Sequence, residues 1–500
     1  MGVRRITVAT VLMALSALAV TSPATADGSG WEIVNSPNAI TTHHNFLNDV
    51  ACLTDSDCWA AGYHQSPSGY QAILQRWDGI SWSLSPVPDV RTIQDDFIQS
   101  VACASPTECF AVGYKWSRPD NAYQALIHRW DGASWSEISS GDAPPATNTF
   151  LIDVTCSSEG DCFAVGHRQV GLLGGGFGPN QTLVLRWDGS SWMTVASPNT
   201  LPIQANSLTS VSCATASDCV AVGYRGSTQP VQSDLTTMPS ANQTLALHWD
   251  GSSWEILSTP NTSPAQANLL NGVSCAAVDD CWAVGITTSG VNQTLILHWD
   301  GAAWSLVGSP NSGPNNANVL FNVDCLAPDD CWAAGYHKPQ PWIENLMLHW
   351  DGLEWSIATV PNSAHGQTNG LRGISCVPQQ GCWAAGNYYG PGSIARTLLL
   401  RHQSPEAPLT ETDIEMTLEQ GRGDVVATAA LTSADRQPLA GKEIVFLLNG
   451  VEWTRVATDA TGVATVSFHR SEIKKGDVVE ANFAGGEGLQ GSAASAIFME

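Results

Sequence analysis

The chain has 500 residues and a formal net charge of −25, because 46 acidic residues outnumber 21 Lys and Arg. Such an excess of negative charge repels phosphates, which excludes nucleic acid and an anionic membrane surface as expected partners. The 14 Cys, an even number, favour disulfide bonds in an exported protein.

Residues 1–26 have the pattern of a secretory signal peptide. Arg4 and Arg5 precede an apolar stretch, and Ala24-Thr25-Ala26 matches a small-residue cleavage site. That stretch is too short for a membrane-spanning helix, and no later stretch is long and apolar enough. We therefore expect a secreted, extracellular protein exported through a bacterial Sec-type signal peptide, without a membrane span.

Residues 27–403 repeat one pattern. Two Cys with five residues between them occur seven times, and a Gly follows each second Cys by four positions. Six repeats then carry Trp-Asp-Gly-Xaa-Xaa-Trp, and 21 positions always separate its second Trp from the next Cys. The Cys pairs are Cys52 and Cys58, Cys103 and Cys109, Cys156 and Cys162, Cys213 and Cys219, Cys275 and Cys281, Cys325 and Cys331, and Cys376 and Cys382.

Each repeat divides into four predicted strands, as in LLNGVSC, CWAVGI, QTLILHW and SSWEILS. Asp-Gly between the third and fourth strands predicts a two-residue hairpin turn, which would pair Trp77 with Ile80 and set Trp77 and Trp82 diagonally on one face. Seven such units predict an all-β fold, a seven-bladed β-propeller.

The N-terminal segment is predicted to close the ring. The seventh repeat stops at His402, where Trp-Asp-Gly would begin, and therefore lacks its fourth strand. Trp31 lies 21 positions before Cys52, which is the spacing of a fourth-strand Trp. We expect the strand at Trp31 to complete the last blade and remove its exposed edge.

The sequence LNGVSCAAVDDCWAVG…LILHWDGAAWSLVGSPN resembles the BNR/Asp-box propellers, which include propellers that assist photosystem assembly. The resemblance extends from Trp31 to about His402. The Asp box has a residue between its Asp and Gly that this chain lacks, and the Cys pairs are not part of the family pattern. The resemblance implies a structural role for the box and supplies no catalytic residue.

The repeat ends before a Pro- and acid-containing linker, residues 404–413. Residues 414–500 then show short alternating strands with regularly spaced turns, which predict a β-sandwich of Ig type. The segment resembles bacterial Ig-like modules and has no Cys. We expect it to act as a spacer or a second contact.

Most of the conspicuous residues are expected to be scaffold. A disulfide across the first hairpin of each repeat accounts for all the Cys and contributes about 2 kcal/mol on the chain-entropy estimate. The basic residue before each hairpin Trp is expected to make inter-blade hydrogen bonds or cation–π contacts, and no metal or other cofactor is predicted. These basic residues are Arg76, Arg129, Arg186, His248, His298, His349 and Arg401.

The loop between the second and third strands is where the repeats differ in length, so the face carrying these loops is the candidate binding face. Aromatic residues interleaved with cationic or titratable groups follow six of the seven repeated Gly, and aromatic faces stack on sugar rings. The predicted ligand-binding residues are Tyr63, His64, Tyr114, Lys115, Trp116, His167, Arg168, Tyr224, Arg225, Tyr336, His337, Trp342 and Tyr388.

Three hypotheses for the function follow. The first is a monomeric, non-enzymatic secreted protein that binds an extracellular glycan or protein through this face. The second is a propeller enzyme, a glycoside hydrolase, lyase or oxidase, with a site at the top of the channel; its candidate residues are Asp49, Asp95, Asp96, Asp153 and Arg372. The third is a structural protein of the cell envelope. Converging carboxylates with shifted pKa values would favour the enzyme, and an aromatic-lined depression without them would favour binding.

Overall fold

The computed structural model describes residues 30–87, 95–141, 148–169, 178–201, 204–226, 242–363, 367–378, 380–402, 411–421, 423–485 and 489–499. The predicted signal peptide and residues 404–410 of the predicted linker lie outside them. The described residues form two compact units, one up to residue 402 and the other from residue 411. No helix of the described residues is long and apolar enough to cross a membrane.

The described part of the first unit consists of β-strands and one short 3-10 turn, Pro391–Ser393. The strands are β1 (Trp31–Val34), β2 (Asn45–Thr54), β3 (Asp57–Ser66), β4 (Gly69–Trp77), β5 (Trp82–Ser85), β6 (Asp96–Ser105), β7 (Glu108–Ser117), β8 (Ala122–Trp130), β9 (Trp135–Ile138), β10 (Asn148–Ser158), β11 (Asp161–Gln169), β12 (Gln181–Trp187), β13 (Trp192–Val195), β14 (Ala205–Thr215), β15 (Asp218–Gly226), β16 (Gln243–Trp249), β17 (Trp254–Leu257), β18 (Ala267–Ala277), β19 (Asp280–Thr288), β20 (Asn292–Trp299), β21 (Trp304–Val307), β22 (Ala317–Ala327), β23 (Asp330–Lys338), β24 (Glu344–Trp350), β25 (Trp355–Ala358), β26 (Asn369–Val377), β27 (Gly381–Tyr389) and β28 (Ala395–His402).

Within these described residues the strands form seven four-stranded antiparallel sheets. Six sheets use four consecutive strands, starting with β2–β5, and the last has the order β1-β28-β27-β26. The first strands of successive sheets lie side by side, from β2 to β26, and β26 lies against β2. The ring therefore closes, and the predictions of an all-β chain and a β-propeller are confirmed. We number the sheets as blades 1 to 7 from β2–β5 onward.

The strand β1 supplies the outer strand of blade 7, as the 21-residue spacing predicts. It pairs antiparallel with β28, with Trp31 opposite His402. Trp31 is 1% exposed and meets the ring of Trp332, in blade 6, at 5.5 Å. Past β1, Asn38 Oδ1 accepts the N–H of Thr397 at 3.1 Å. The residues just after the fourth strand make the same bond in blade 3, where Asn199 accepts the N–H of Thr182, so the two ends of the ring form an ordinary blade.

The prediction of a two-residue turn at Asp-Gly is wrong. Trp77 lies directly opposite Trp82, so four residues connect the strands. Asp78 Oδ1 accepts the N–H groups of Ile80 and Ser81 at 2.9 and 2.8 Å, and Gly79 has φ +90°. The carboxylate satisfies two turn N–H groups, which stabilises the wider loop. The other five hairpins repeat this geometry, with each Asp bonded to the two equivalent N–H groups.

All seven predicted disulfides are present, each joining the first two strands of a blade with Cα atoms 4.0 Å apart. They confirm the interpretation of the Cys pairs. Because the first Cys of each pair ends the inner strand, the disulfides share one end of the ring. The loops between second and third strands, and between consecutive blades, share the other end.

A β-bulge in every inner strand explains the repeated Gly. In blade 1 the register shifts between Leu47 and Asp49, so Asn48 has no partner on β3. The strand bends there, and a Cβ on Gly62 would lie 2.0 Å from the carbonyl oxygen of Phe46. The same close approach to the inner strand occurs at the repeated Gly of the other six blades, so a side chain is excluded there.

The described part of the second unit contains two antiparallel sheets that share one hydrophobic core. One sheet has three strands and the other four. Their strands are β29 (Thr412–Gln420), β30 (Asp424–Ser433), β31 (Glu443–Leu448), β32 (Val451–Ala457), β33 (Val463–His469), β34 (Val478–Phe483) and β35 (Ser492–Ile497). Val425, Phe446, Phe468 and Val479 are fully buried between the sheets.

Candidate functional site

The inner edge of each blade faces the central channel, and its N–H groups need acceptors because no further strand pairs with them. Side chains three positions before the first Cys supply some of these acceptors from the preceding blades. Asp49 Oδ2 accepts the N–H of Val101 in blade 2 at 3.0 Å. Asp153 Oδ2, in blade 3, accepts the N–H of Val211 in blade 4 at 2.8 Å. These carboxyls therefore tie neighbouring blades together.

The side chains at this position form a constriction that we call the channel waist. Its members are Asp49, Ser100, Asp153, Ser210 and Asn322. Blades 5 and 7 have Gly272 and Gly373 there. A Cβ on Gly272 would lie 2.7 Å from the Cα of Asn322, and one on Gly373 would lie 2.6 Å from the Cα of Asp49. Five side chains therefore form the waist, and the neighbouring inner strands leave no space for a side chain at Gly272 or Gly373.

Two carboxyls of the waist share a proton. Ser100 Oγ lies 2.7 Å from Asp49 Oδ2 and 2.7 Å from Asp153 Oδ1. A hydroxyl donates one proton only, so both bonds can form only if one carboxyl is protonated. Burial, and after it repulsion by Asp153, raises the pKa of Asp49 to about 7. Burial also raises the pKa of Asp153.

The side of the channel toward the disulfides, which we call the disulfide end, has a second layer of inter-blade bonds. In blades 4 to 7 the residue just before the first Cys accepts the N–H of the next blade's first Cys. Ser274 Oγ accepts from Cys325 at 3.1 Å, and Asp324 Oδ2 accepts from Cys376 at 2.7 Å. Ser212 and Ser375 make the equivalent bonds. Burial raises the pKa of Asp324 to about 6.

On the other side of the waist the bulge residues surround a depression of about 180 Å³, the channel mouth. One residue comes from each blade: Asn48, Gln99, Ile152, Thr209, Asn271, Phe321 and Arg372. Because these residues lie near the start of the inner strands, the mouth opens toward the variable loops. The volume suits a small polar group or one sugar unit of a larger ligand rather than a large apolar ligand.

Three mouth residues tie neighbouring blades. The amide nitrogens of Asn48 and Asn271 donate to backbone carbonyls of the following blade at 2.8 and 2.7 Å. The hydroxyl of Thr209 does the same at 2.8 Å. Gln99, by contrast, makes no hydrogen bond with a described residue. The mouth therefore combines residues committed to the scaffold with residues that are free to contact a ligand.

Arg372 is the cation of the channel mouth. Its guanidinium carbon lies 4.9 Å from the ring centroid of Phe321, and its side chain is exposed. In the part of the chain that the structure describes, no carboxylate pairs with it. Its charge partly offsets the rise that burial causes in the pKa of Tyr63. Stacking on Phe321 holds the guanidinium over the mouth.

The basic residues before the hairpin Trp have a different environment. Arg76 Nε lies 3.2 Å from Asp57 Oδ1 in the same blade, and its guanidinium lies 5.5 Å from the ring of Trp130 in the next blade. Arg129, Arg186, His248, His298 and His349 also pair with a carboxylate in their own blades. Among the described residues no group of three or more His, Cys, Asp and Glu is placed to hold a metal ion.

Several predicted ligand-binding residues lie in an aromatic band between blades 1, 2 and 3. Tyr63 meets Phe97 at 5.0 Å, Tyr114 meets Phe150 at 4.9 Å, and His167 stacks on Phe150 at 5.0 Å. Burial raises the pKa of Tyr114 and lowers that of His167 to about 4. These rings pack blade against blade, and their faces are largely covered.

The other predicted residues are spread around the same end of the ring. Tyr224 and His64 are each 8% exposed, Tyr336 packs with Phe321, and Tyr388 packs beside the core of blade 7. Lys115 pairs with Glu137, Trp116 packs on Tyr123, and His337 lies 3.6 Å from Glu344. Arg168 and Arg225 are half-buried. Trp342 is 46% exposed, the most exposed of the thirteen. Their role in ligand binding stays a prediction.

The structure brings three of the five candidate enzyme residues to the channel. Asp49 and Asp153 lie in the waist, and Arg372 lies in the mouth above them. Asp95 instead accepts the N–H of Tyr70 at 2.8 Å, and Asp96 lines a separate hollow beside blade 1. The mouth residues Asn48, Gln99, Thr209, Asn271 and Phe321 were not expected from the sequence. The signal for them is the position four before each first Cys, where the repeats differ most.

No protein-family model and no curated protein matches the chain. Among solved structures, an ulvan lyase of a new polysaccharide-lyase family is 9% identical with a TM-score of 0.45, over 71% of this chain and 93% of that one. A xyloglucanase from Xanthomonas campestris is 14% identical with a TM-score of 0.42, over 92% and 68%. The six-bladed lectin of Aleuria aurantia is 11% identical with a TM-score of 0.35, over 61% and 97%. None of these likenesses assigns a function.

Proposed function

We propose that the protein is a secreted, non-enzymatic β-propeller that binds an extracellular glycan at the channel mouth. In finer terms we propose seven blades related to the BNR/Asp-box propellers. A bacterial Ig-like module from about residue 414 follows as a spacer or second contact, and the protein is a monomer. Residues 1–26 are the proposed signal peptide. The seven disulfides support an oxidising compartment.

One observation carries the proposal: the polar groups of the channel divide into engaged and free ones. At the waist and the disulfide end, carboxyls and hydroxyls accept N–H groups of the next blade. At the mouth, Gln99 and Arg372 have no such partner among the described residues. Polar groups held at the rim of a depression without a structural partner are what a polar ligand needs.

The chemistry of the mouth supports a glycan. The side-chain oxygens of Asn48 and Asn271 remain available as acceptors, because the two bonds described above use their nitrogens. Gln99 offers both a donor and an acceptor, and Arg372 offers several donors. Sugar hydroxyls both donate and accept hydrogen bonds, so this mixture of donors and acceptors suits a polyhydroxylated ring.

The second candidate is an enzyme acting on the bound glycan. The criterion given for an enzyme, converging carboxylates with shifted pKa values, is met by Asp49 and Asp153, which Ser100 bridges and whose pKa values are both raised. A carboxylic acid beside a carboxylate is the pair that acid–base chemistry uses. Against it, both carboxyls already tie blades together. Incubation of the native protein and of Asp153→Asn with any glycan that binds separates the two functions. Production of new chain ends by the native protein alone would support the enzyme.

A glycan array with the full mature protein tests the proposal. We expect binding that Gln99→Ala weakens about tenfold, because one polar contact is lost without an inter-blade bond. Thr155→Val, at the disulfide end, is the matched control and should bind like the native protein. Trp116→Ala and Trp342→Ala test the ligand-binding residues predicted from the sequence, which lie outside the mouth and which we call the outer ring.

Loss of binding in the two Trp variants with unchanged binding by Gln99→Ala would move the site to the outer ring. Loss in Thr155→Val alone would move it to the disulfide end. No glycan binding by the native protein would overturn the proposed function.

A further inference from the structure

Arg372 differs from Arg129 and Arg186 in what it contacts. Arg129 and Arg186 each lie within 3.0 Å of a carboxylate and also cover an aromatic ring of the next blade. Arg372 covers Phe321 in the same manner at 4.9 Å, but its N–H groups point to no described carboxylate. The arrangement is therefore that of a scaffold arginine with the anion missing.

At the position of Arg372, three other blades have a residue that ties them to the following blade. The repeat accepts a small polar residue at this place, since Asn48, Thr209 and Asn271 all donate to the next blade from it. Blade 7 has Arg372 in place of a residue that makes this inter-blade bond. Blade 6 has Phe321 there, and the ring of Phe321 contacts the guanidinium of Arg372. Blades 2 and 3 also lack this bond, with Gln99 and Ile152 in its place, and in blades 6 and 7 the two replacing side chains contact each other at 4.9 Å.

The surroundings favour an anion despite the acidic composition of the chain. The carboxyls beneath the mouth share a proton through Ser100, so they do not carry two full negative charges. Each of them also accepts a backbone N–H group of another blade. Gln99 and the amides of Asn48 and Asn271 are neutral. Arg372 is therefore the cation among the residues that line the depression.

We propose that the channel mouth selects glycans that carry an anionic substituent, a carboxylate or a sulfate ester, and that Arg372 binds this substituent while Phe321 fixes the guanidinium plane. A stacked guanidinium presents two parallel N–H groups, which match the two oxygens of either anion. The neutral amides around it then take the sugar hydroxyls. The inference rests on the proposed glycan binding at this site and names the ligand class.

An array that presents each oligosaccharide in neutral, uronate and sulfated forms tests the inference, followed by calorimetry on the best set. We expect an anionic form to bind at least tenfold more tightly than its neutral counterpart, with an affinity that falls as salt is added. Preference for the uronate or for the sulfated form identifies which anion is the ligand.

Three variants distinguish a specific contact from general attraction. Arg372→Gln should abolish the preference for the anionic form, so that the variant binds the anionic and neutral forms within about twofold of each other. Arg372→Lys should keep a reduced preference for the anionic form, because an ammonium retains the charge but lacks the two parallel N–H groups of the guanidinium. Phe321→Leu should reduce the preference for the anionic form severalfold, because the guanidinium of Arg372 loses the ring that fixes its plane.

Each outcome has a separate meaning. Equal binding of neutral and anionic forms by the native protein overturns the anion inference and leaves glycan binding intact. An unchanged preference in Arg372→Gln overturns the role of Arg372. No binding of any form overturns the proposed function itself. A melting curve for each variant identifies loss of folding, and Arg372→Lys remains informative if Arg372→Gln does not fold.

Discussion

The two ends of the central channel use the same repeat in different ways. At the disulfide end, Ser274 and Asp324 both accept the N–H of the next blade's Cys, so a hydroxyl and a carboxylate make the same inter-blade bond. At the mouth, Asn271 donates to the next blade, whereas Arg372 stacks on Phe321 and leaves its N–H groups open. A polar residue engaged by its neighbour stabilises the ring, and one left unengaged is available to a ligand.

This difference separates stability from binding by position. Substitutions at the waist and the disulfide end should change the free energy of unfolding, because they leave buried N–H groups without acceptors. Substitutions of unengaged mouth residues should change binding and leave the melting temperature where it was. The predictions below test this separation, from the largest expected effect to the smallest.

Removal of residues 27–37 should have the largest effect on the scaffold. It deletes β1 and exposes the outer edge of β28, so the whole ring should lose cooperative unfolding or melt at least 10 °C lower, measured by circular dichroism. If the truncated chain fails to fold, Trp31→Ala is the alternative variant. We expect its free energy of unfolding, measured with denaturant, to fall by about 3–5 kcal/mol. Native-like melting of the truncated chain would contradict closure by β1.

The repeated Gly should be nearly as sensitive. Gly285→Ala places a Cβ 2.0 Å from the carbonyl oxygen of Leu269, so we expect about 3 kcal/mol of destabilisation, measured by denaturant unfolding. Gly308→Ala is the matched control in the same blade, because no atom lies within 4 Å of its Cβ and its φ is not positive. Equal effects of the two variants would show that the bulge does not require glycine.

The shared proton makes stability depend on pH. The pKa of Asp49 is raised to about 7 from 3.8, so the folded ring binds more protons than the unfolded chain between these values. The free energy of unfolding should therefore fall as the pH rises from about 4 to about 7. Asp324, with a pKa raised to about 6, contributes with the same sign.

Asp49→Asn isolates the contribution of Asp49, because an amide has the shape of the protonated carboxyl and stays neutral. At pH 8 we expect the variant to be more stable than the native protein by roughly 2–4 kcal/mol, and at pH 4 the two should agree. The pH dependence of the variant should be shallower, with the slope from Asp324 remaining. Parallel pH curves for the two proteins would contradict a shared proton at Asp49.

The smallest effects should occur within the mouth. Asn271→Ala removes the donor to the carbonyl of Leu320, so we expect a loss of about 1 kcal/mol in unfolding free energy. Gln99→Ala removes no described hydrogen bond and should change the free energy by less than about 0.5 kcal/mol. Both values come from denaturant titration of the full chain. A larger loss for Gln99→Ala than for Asn271→Ala would show that the mouth is not divided as described.

The sequence predicted the architecture because its repeat spacings are set by backbone geometry. The Cys spacing led to the disulfides, and the position of Trp31 led to its pairing with His402. The turn at Asp78 was predicted wrongly because the competing hydrogen bonds of the carboxylate depend on three-dimensional geometry. A two-residue loop and a four-residue loop have the same Asp-Gly pattern.

The candidate site was harder to predict for two physical reasons. A bulge turns one extra residue per blade toward the channel, and the alternation of strand residues gives no sign of it beyond the repeated Gly. The aromatic residues after that Gly, such as Tyr63 and Tyr114, were predicted to face a ligand, but their rings fill the space between blades. Asp49, Asp153 and Arg372 were placed near the channel correctly, although the sequence did not show which of them is already engaged.

The bulge also separates two kinds of position in each repeat. The repeated Gly and the residues that flank the bulge are fixed by contacts inside a blade, as at Gly62 and Leu47. The bulge residue itself has no partner on the second strand, so its side chain can change without repacking the blade. Seven such places, one per blade, surround a single opening. A few point substitutions at these places can therefore change the polarity and charge of the opening while the ring around it stays the same.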